Sequence, residues 1–291
     1  MITKILKKVI RRISRIIYSN GSFLGFFIVE DHFYNPIPNF KNLLADKNIF
    51  EYKYSNVPID LESQIDLLNS FIHYDSSLNR EYKCIKGKFD FNNGSFGHDD
   101  SYLYFSMINS FKPQKIIEIG SGFSTQVAAI AKEFGKLKTE ILCIEPYPRD
   151  ELIILNQETK LIEKRLEYVS LDLFKNLDKN DILFIDSSHV IKTKNDVVRI
   201  YLEILPILKK GVIVHIHDIS IPYEIHPAIF RAGYSWNEQY LLQALLTNSH
   251  RYNTLISGYY LTKDYFKYFN KVFKESISGN TGGSYWIEIL E

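Results

Sequence analysis

A chain of 291 residues with a formal net charge of +1 has no overall electrostatic basis for nucleic-acid binding. Its 45% apolar and 24% charged content is typical of a globular protein, and no apolar run reaches the length of a membrane span. The two cysteines, Cys84 and Cys143, do not indicate a disulfide framework, so we expect a reducing, cytoplasmic location.

The amino-terminal segment differs in charge from the rest of the chain, because residues 1–29 contain no Asp or Glu. Apolar residues recur there at helical spacing, and the opposite face is basic: Lys4, Lys7, Lys8, Arg11, Arg12 and Arg15. The pattern predicts a basic amphipathic helix over residues 1–17. Two interpretations stay open: a helix lying on the inner face of a membrane, and a helix packed on the protein or a partner with a solvated basic face.

Residues 1–98 contain no chemical motif, and their clearest signal is a helical pattern at about 59–74. A loop is predicted at 92–100, in which His98, Asp99 and Asp100 either cover the cofactor or cap the helix that begins at Ser101, the second being favoured. We therefore expect two parts, an amino-terminal extension or cap at 1–98 and a core domain at 99–291.

From residue 99 onward, helix and strand patterns alternate. Helices are predicted at 101–111, 124–134, 150–159, 194–208 and 236–247. Strands are predicted at 115–119, 140–145, 166–171, 181–186, 211–216, 252–257 and 284–290. Near-continuous apolar strands separated by helices predict an α/β fold with a mostly parallel sheet covered on both faces. Such sheets bind ligands at the carboxyl ends of their strands.

The most informative stretch is Glu118-Ile119-Gly120-Ser121-Gly122, a tight turn between a predicted strand and a predicted helix. Glycines let the backbone approach a ligand closely, and a helix start offers free N–H groups. A dinucleotide fingerprint would need glycine where Thr125 stands, which disfavours an NAD-dependent oxidoreductase. Glu145 ends the next predicted strand 25 residues after Gly120, where a carboxylate can accept both hydroxyls of a ribose.

Four segments carry a resemblance to a known family: residues 117–125 (IEIGSGFST), 182–190 (ILFIDSSHV), 211–219 (GVIVHIHDI) and 236–241 (WNEQYL). With them the chain resembles class I S-adenosylmethionine-dependent methyltransferases. Within that class it is similar to methyltransferase family 24, which is related to macrocin-type sugar O-methyltransferases. The resemblance covers residues 99–291 and implies a Rossmann-like, doubly wound, mostly parallel seven-stranded sheet with an N-terminal extension.

The same resemblance assigns residues to S-adenosylmethionine, the implied cofactor. The turn residues would contact its methionine part, Glu145 would hold the ribose, and Asp172 is a candidate adenine contact. For Asp172 a helix cap or turn is an equal alternative. The cofactor set is Glu118, Gly120, Ser121, Gly122, Ser124, Glu145, Asp172 and Asp186.

Carboxylates also follow two later strands, Asp186 after the fourth and Asp218 after the fifth. Adjacent parallel strands would bring them to one edge, where they could bind Mg²⁺ or another divalent cation and lower the pKa of a substrate hydroxyl. His217 stands where the resemblance implies an acidic residue, so a metal-free alternative is open in which His189 or His217 is the general base. The candidate catalytic residues are His189, His217 and Asp186.

The loop after Asp218 and the helix start at Trp236 are placed to shape an acceptor pocket, with Tyr223, Glu224, His226 and Trp236 as substrate candidates. The expected function is methyl transfer from S-adenosylmethionine to a hydroxyl of a sugar or another polar small molecule. The alternatives are N-methylation without metal and a non-catalytic cofactor-binding scaffold docked to a membrane or partner by residues 1–17. A homo-oligomer is left open.

Overall fold

The structure is a computed structural model that describes residues 6, 9–10, 12–14, 17, 31–73, 91, 93–148, 159–274, 276 and 282–291. The chain divides into two compact units, Met1–Ile49 with Pro227–Ser235, and Phe50–His226 with Trp236–Glu291. Residues 50–98 therefore group with the larger unit. The predicted functional boundary between residues 98 and 99 stays a prediction.

The described α-helices are α1 (Phe40–Ala45), α2 (Leu61–Ser70), α3 (His98–Phe111), α4 (Phe123–Phe134), α5 (Asp172–Lys175), α6 (Asp196–Arg199), α7 (Pro227–Arg231), α8 (Glu238–Thr247), α9 (Gly258–Asp264) and α10 (Phe266–Val272). The strands are β1 (Lys115–Ile119), β2 (Glu140–Ile144), β3 (Thr159–Ile162), β4 (Ile182–Ile185), β5 (Ile213–Ile216), β6 (Tyr252–Ser257) and β7 (Tyr285–Ile289). Among these residues, no helix combines the length and apolar character needed to cross a bilayer.

In the smaller unit, α1 and α7 pack together, with the rings of Phe40 and Phe230 6.2 Å apart. The side chain of Asn39 caps α1 by accepting from the N–H of Asn42 at 3.0 Å. Of the predicted helix over 1–17, the structure describes residues 6, 9–10, 12–14 and 17, which are helical; the rest lies outside the described residues.

The larger unit is built on a seven-stranded sheet of order β3-β2-β1-β4-β5-β7-β6. The first five strands are parallel, and β7 runs antiparallel to both β5 and β6. This confirms the predicted Rossmann-like, mostly parallel sheet. Alternate strand residues face two hydrophobic cores, so that Ile182 packs with α3 and α4 while Leu183 packs with α6 and α8.

Two sequence-based assignments were wrong in this unit. The third strand is Thr159–Ile162, and the segment predicted as that strand begins with a 3₁₀ turn, Leu166–Tyr168. The helix predicted at 194–208 is broken, because α6 continues as a π-helical turn, Ile200–Ile204, and a 3₁₀ turn, Leu205–Ile207. The helix predicted at 150–159 lies outside the described residues except for Thr159, which begins β3.

The backbone ladders continue past the strand ends and place the functional residues. The N–H of Asp186 donates to the carbonyl of Ile119 at 2.8 Å, and the N–H of His217 donates to that of Ile185 at 2.9 Å. The residues that follow β1, β4 and β5 therefore meet at one edge of the sheet, where the strand order reverses.

Candidate active site

A cavity of about 310 Å³ opens at this edge. Its lining comes from four segments, residues 95–96, 120–124, 145 with 147, and 186–187. The structure thus brings together most of the residues predicted to hold the cofactor: Gly120, Ser121, Gly122, Ser124, Glu145 and Asp186. Glu118 and Asp172 do not line it.

The turn after β1 requires glycine at position 120. Gly120 has a φ of +92°, and a Cβ there would stand 2.7 Å from the carbonyl oxygen of Asp186. Its N–H donates to the carbonyl of Ile144 at 3.0 Å, which fixes the turn between the neighbouring strands. The absent side chain therefore allows β1 and β4 to close around the floor of the cavity.

The start of α4 presents polar groups to the cavity. The N–H of Gly122 donates to Thr125 Oγ1 at 3.1 Å, while Ser121 Oγ is buried and has no hydrogen-bond partner among the described residues. A buried hydroxyl without a partner raises the free energy of the folded protein, so a ligand that hydrogen-bonds Ser121 would recover that free energy. This orphaned atom at a helix start fits the polar methionine part of S-adenosylmethionine.

Another part of the wall suits a nucleoside. Glu145 Oε1 accepts from the N–H of Tyr147 at 2.8 Å, and both residues line the cavity. The Tyr147 ring is 80% exposed, so it offers an open aromatic surface next to a carboxylate. A carboxylate can bind ribose hydroxyls, and an aromatic ring can stack on a base.

Glu118 lies behind the glycine turn, where it is fully buried. Its carboxylate accepts from the Tyr104 hydroxyl at 2.9 Å and the Thr125 hydroxyl at 2.5 Å, and the Cys143 thiol is 3.6 Å away. Burial raises the pKa of Glu118 to about 7, although hydrogen bonds from Thr125 and Tyr104 oppose the shift. The structure connects Glu118 to the turn through Thr125, and its direct contact with the cofactor stays a prediction.

Asp172 is the first residue of α5 and lies apart from the cavity lining. Its exposed carboxylate pairs with Lys175 Nζ at 2.7 Å and accepts from Ser170 Oγ at 3.4 Å. The structure therefore shows the helix-start alternative, and the adenine contact stays a prediction.

Next to the cavity, two imidazoles converge with four carboxylates. We call this group the imidazole–carboxylate cluster; its members are Asp100, Asp186, His189, His217, Asp218 and Glu238. Only Asp186 of this cluster lines the cavity, and its side chain is 45% exposed. The cluster is therefore a largely buried set of charges that reaches the cavity through one carboxylate.

His189 is held between carboxylates on both sides of its ring. Its Nδ1 lies 2.9 Å from Glu238 Oε2, and its Nε2 lies 3.2 Å from Asp186 Oδ1 and 3.5 Å from Asp218 Oδ2. Burial alone would lower the pKa of His189, but hydrogen bonds to Asp186 and Glu238 outweigh it and raise the pKa to about 10. At neutral pH the imidazole is therefore largely protonated, and only its neutral form can act as a base.

Glu238 orients His189 through its side chain and its backbone. The carboxylate is 2% exposed and accepts from Ser187 Oγ at 2.7 Å as well as contacting His189 Nδ1. The N–H groups of Asn237 and Glu238 both donate to the carbonyl of His189, at 2.9 and 3.1 Å. His189, at a φ of +57°, is thus fixed by the first turn of α8.

His217 occupies the deeper half of the cluster and is 3% exposed. Its Nε2 lies 3.5 Å from Asp100 Oδ2, and its Nδ1 lies 3.5 Å from Asp218 Oδ2 and 3.8 Å from Asp186 Oδ1. Burial would lower the pKa of His217, but the charge of Asp218 and the nearby carboxylates of Asp100 and Asp186 raise it well above its ordinary value. Asp100 is fixed in turn by Ser284, whose N–H and hydroxyl donate to its Oδ1 at 2.9 and 2.7 Å.

Asp186, His217 and Asp218 each present one ligand atom, and these atoms all lie within 4.8 Å of one another. The two predicted metal ligands, Asp186 and Asp218, are thus brought together with an imidazole between them. Asp218 has a φ of +59° and is closely covered by Gly283, where a Cβ would stand 2.9 Å from its Cα. Two carboxylates and an imidazole are a donor set that fits a divalent cation.

The four predicted substrate residues are not all near this cluster. Trp236 packs on His189 with ring centroids 4.3 Å apart. The other three do not line the cavity, and their side chains contact residues elsewhere: Tyr223 bonds Asp264, Glu224 accepts from Tyr54 and Tyr240, and His226 faces Tyr259. Their role in acceptor binding stays a prediction.

Sequence reasoning missed the part that Asp100 and Glu238 play in the cluster. Asp100 was predicted to cap a helix or cover the cofactor, and Glu238 to begin a helix that could face the same edge, but neither was assigned to a histidine. The structure places both in the first turns of their helices, α3 and α8. The sequence did contain a signal for this role: each carboxylate stands next to an apolar helical segment, and histidines follow the predicted strands. A first-turn carboxylate that is buried instead of solvated needs a partner, and here the partners are imidazoles.

Comparison with known proteins agrees with this geometry. A family model described as a methyltransferase domain matches residues 117–219. An uncharacterized protein of Archaeoglobus fulgidus is 32% identical over 201 residues, covering 62% of this chain and 90% of that protein. Weaker likenesses exist to the SAH-bound Podospora anserina methyltransferase PaMTH1 (15% identity, 81% of this chain, 98% of that chain, TM-score 0.45) and to the O-methyltransferase from Bacillus cereus in complex with SAH (12%, 85%, 97%, TM-score 0.41).

The sheet order, the glycine turn and the matched domain together define a class I S-adenosylmethionine-dependent methyltransferase. Within this class, the chain belongs to methyltransferase family 24.

Proposed function

We propose that this methyltransferase transfers the methyl group of S-adenosylmethionine to a hydroxyl of a sugar or another polar small molecule, with His189 as the general base. The observation that carries the proposal is the contact between Glu238 Oε2 and His189 Nδ1 at 2.9 Å. It leaves the other ring nitrogen directed at Asp186, the residue that joins the cluster to the cavity.

The proposed step needs a base that acts on a hydroxyl. S-adenosylmethionine supplies an activated methyl on a sulfonium, so the protein mainly has to align acceptor oxygen, methyl carbon and sulfur. In its neutral form, whose share grows as the pH rises toward 10, His189 takes the hydroxyl proton at Nε2 as the oxygen–carbon bond forms and the carbon–sulfur bond breaks. The carboxylate of Glu238 stabilises the imidazolium that results, and the buried surroundings strengthen this interaction.

A divalent cation held by Asp186 and Asp218 is part of the proposal as an assisting group. When bound, such an ion lowers the pKa of a hydroxyl that it contacts. The charges of the cluster support it, since four carboxylates face two imidazoles and leave an excess of negative charge even when both imidazoles are protonated.

The proposal is tested first by calorimetry with S-adenosylhomocysteine and then by turnover with a panel of hydroxyl and amine acceptors. For an active acceptor, we expect His189→Gln to reduce turnover by about 10²–10⁴-fold while S-adenosylhomocysteine still binds. The matched control is His250→Gln, which alters an exposed histidine and should leave turnover unchanged.

Three results would contradict the proposal in distinct ways. Turnover with amines alone would favour N-methylation, and binding without turnover on any acceptor would favour the scaffold. Unchanged turnover after exhaustive chelation would remove the cation from the proposal but keep the base.

A further inference from the structure

The imidazole of His217 points a ring nitrogen at the two proposed metal ligands. Its Nδ1 lies 3.5 Å from Asp218 Oδ2 and 3.8 Å from Asp186 Oδ1, and one ligand atom from each of the three residues falls within a common 4.8 Å. His217 therefore completes a compact three-donor set on one side of a small space.

Nδ1 of His217 lies near these carboxylates without forming a hydrogen bond to either of them. Within the part of the chain that the structure describes, neither ring nitrogen of His217 makes a hydrogen bond of good geometry, although the side chain is 4% exposed. A buried polar atom in that state costs free energy that a bound ion would recover. The orphaned nitrogen is thus independent evidence for a ligand, beyond the grouping of carboxylates.

The far side of the ring is backed by a carboxylate. Asp100 Oδ2 lies 3.5 Å from His217 Nε2, and Asp100 is itself anchored by the N–H and hydroxyl of Ser284. A carboxylate behind a ligating imidazole fixes the ring's orientation and increases its basicity toward a metal. Ser284 thus holds Asp100, and Asp100 lies beside the ring nitrogen of His217 that does not face the proposed ligand position.

We propose that His217 ligates a divalent cation through Nδ1, with Asp100 as its positioning residue, and that this nitrogen makes the site select a first-row transition-metal ion over Mg²⁺. The inference rests on the proposed function for the place of the cation. Mg²⁺ binds oxygen donors and keeps its water, whereas imidazole suits transition-metal ions such as Co²⁺. The His217–Asp100 pair thus adds a donor that discriminates between the two classes of ion.

The experiment uses the full-length protein after metal removal. Calorimetry measures the dissociation constants of Co²⁺ and Mg²⁺, and the visible absorption of bound Co²⁺ reports its ligands. We expect Co²⁺ to bind at least about tenfold more tightly than Mg²⁺, and His217→Glu to reduce that ratio by about tenfold or more. Asp100→Asn should weaken Co²⁺ binding by about tenfold while the absorption band persists.

A spectroscopic arm identifies the nitrogen directly. In Mn²⁺-loaded protein, pulsed electron paramagnetic resonance should show a ¹⁴N coupling that is lost in His217→Glu and kept in His189→Gln. Coupling that depends on His189 instead, or a wild-type preference for Mg²⁺, would overturn the inference.

Binding of S-adenosylhomocysteine separates this inference from the proposed function. Each variant is first shown to bind S-adenosylhomocysteine, which establishes that the sheet and cavity are folded. If the wild-type protein fails to bind it, the proposed function fails. If the wild-type protein binds S-adenosylhomocysteine but the metal data show no nitrogen ligand, only the proposed role of His217 is wrong.

Discussion

Replacing Glu118 by Gln should change the pH dependence of stability in a calculable way. Glu118 is fully buried, and its pKa is about 7 in the folded protein against 4.5 ordinarily. A carboxyl group whose pKa is raised by folding stabilises the fold below its unfolded pKa, and that contribution is lost as the pH rises through the folded pKa. The shift corresponds to about 3 kcal/mol between pH 4.5 and pH 8.

Glutamine keeps the shape of the side chain but carries no charge at any pH. The free energy of unfolding of Glu118→Gln minus that of the wild type should therefore rise by about 3 kcal/mol from pH 4.5 to pH 8. Urea unfolding at several pH values measures both proteins, and the subtraction removes the titration of all other groups. Parallel curves for the two proteins would refute the reasoning.

Glu140→Gln provides a control of opposite sign. Glu140 is the first residue of β2 in the same sheet, and a hydrogen bond from Lys160 lowers its pKa. Its contribution is present above the unfolded pKa and lost in acid, so this variant should become slightly less stable than the wild type as the pH rises.

The remaining predictions concern the cavity and the amino terminus. Gly120→Ala places a Cβ 2.7 Å from Asp186 and should raise the calorimetric Kd for S-adenosylhomocysteine by about tenfold or more; a wild-type Kd would contradict the packing argument. Tyr147→Ala removes an exposed ring from the cavity wall and should raise the same Kd by about threefold to tenfold. Asp172→Ala should change that Kd by less than about twofold; a larger increase for Asp172→Ala than for Tyr147→Ala would support Asp172 as the adenine contact. Anionic vesicles should sediment the full-length chain and not a variant lacking residues 1–17, and equal sedimentation would exclude membrane docking by this segment.

Most strands of the sheet could be predicted from the sequence because the central strands are buried on both faces and are therefore almost continuously apolar. β1 and β6 were predicted to the residue, and β2, β4 and β5 were predicted to within a few residues. β3 was missed because it is an edge strand of four residues whose two central side chains are exposed. The short apolar run at 166–171 resembles a strand, but Leu166 and Val169 bury their side chains at a 3₁₀ turn and its C-cap.

From the sequence, the site residues could be predicted only where they directly follow a strand. Asp186 and Asp218 follow adjacent parallel strands, so their proximity came from topology alone. The partnership of Glu238 with His189 joins residues 49 positions apart through the docking of a helix, which no local pattern encodes. The sequence predicted that Glu224 lies near the acceptor because its loop follows Asp218. In the structure its carboxylate accepts hydrogen bonds from Tyr54 and Tyr240.

The hydrogen bonds from Ser284 to Asp100 determine when the site can be completed as the chain is synthesised. It joins residues 184 positions apart, and the neighbouring Gly283 accepts from the N–H of Ile219 at 2.9 Å while covering Asp218. A growing chain that has reached β5 already contains the strands that frame the cofactor cavity, but nothing yet anchors Asp100 behind His217. During synthesis, the segments that line the cavity therefore emerge before Ser284, so the ligand position is complete only when β7 pairs with β5 and β6.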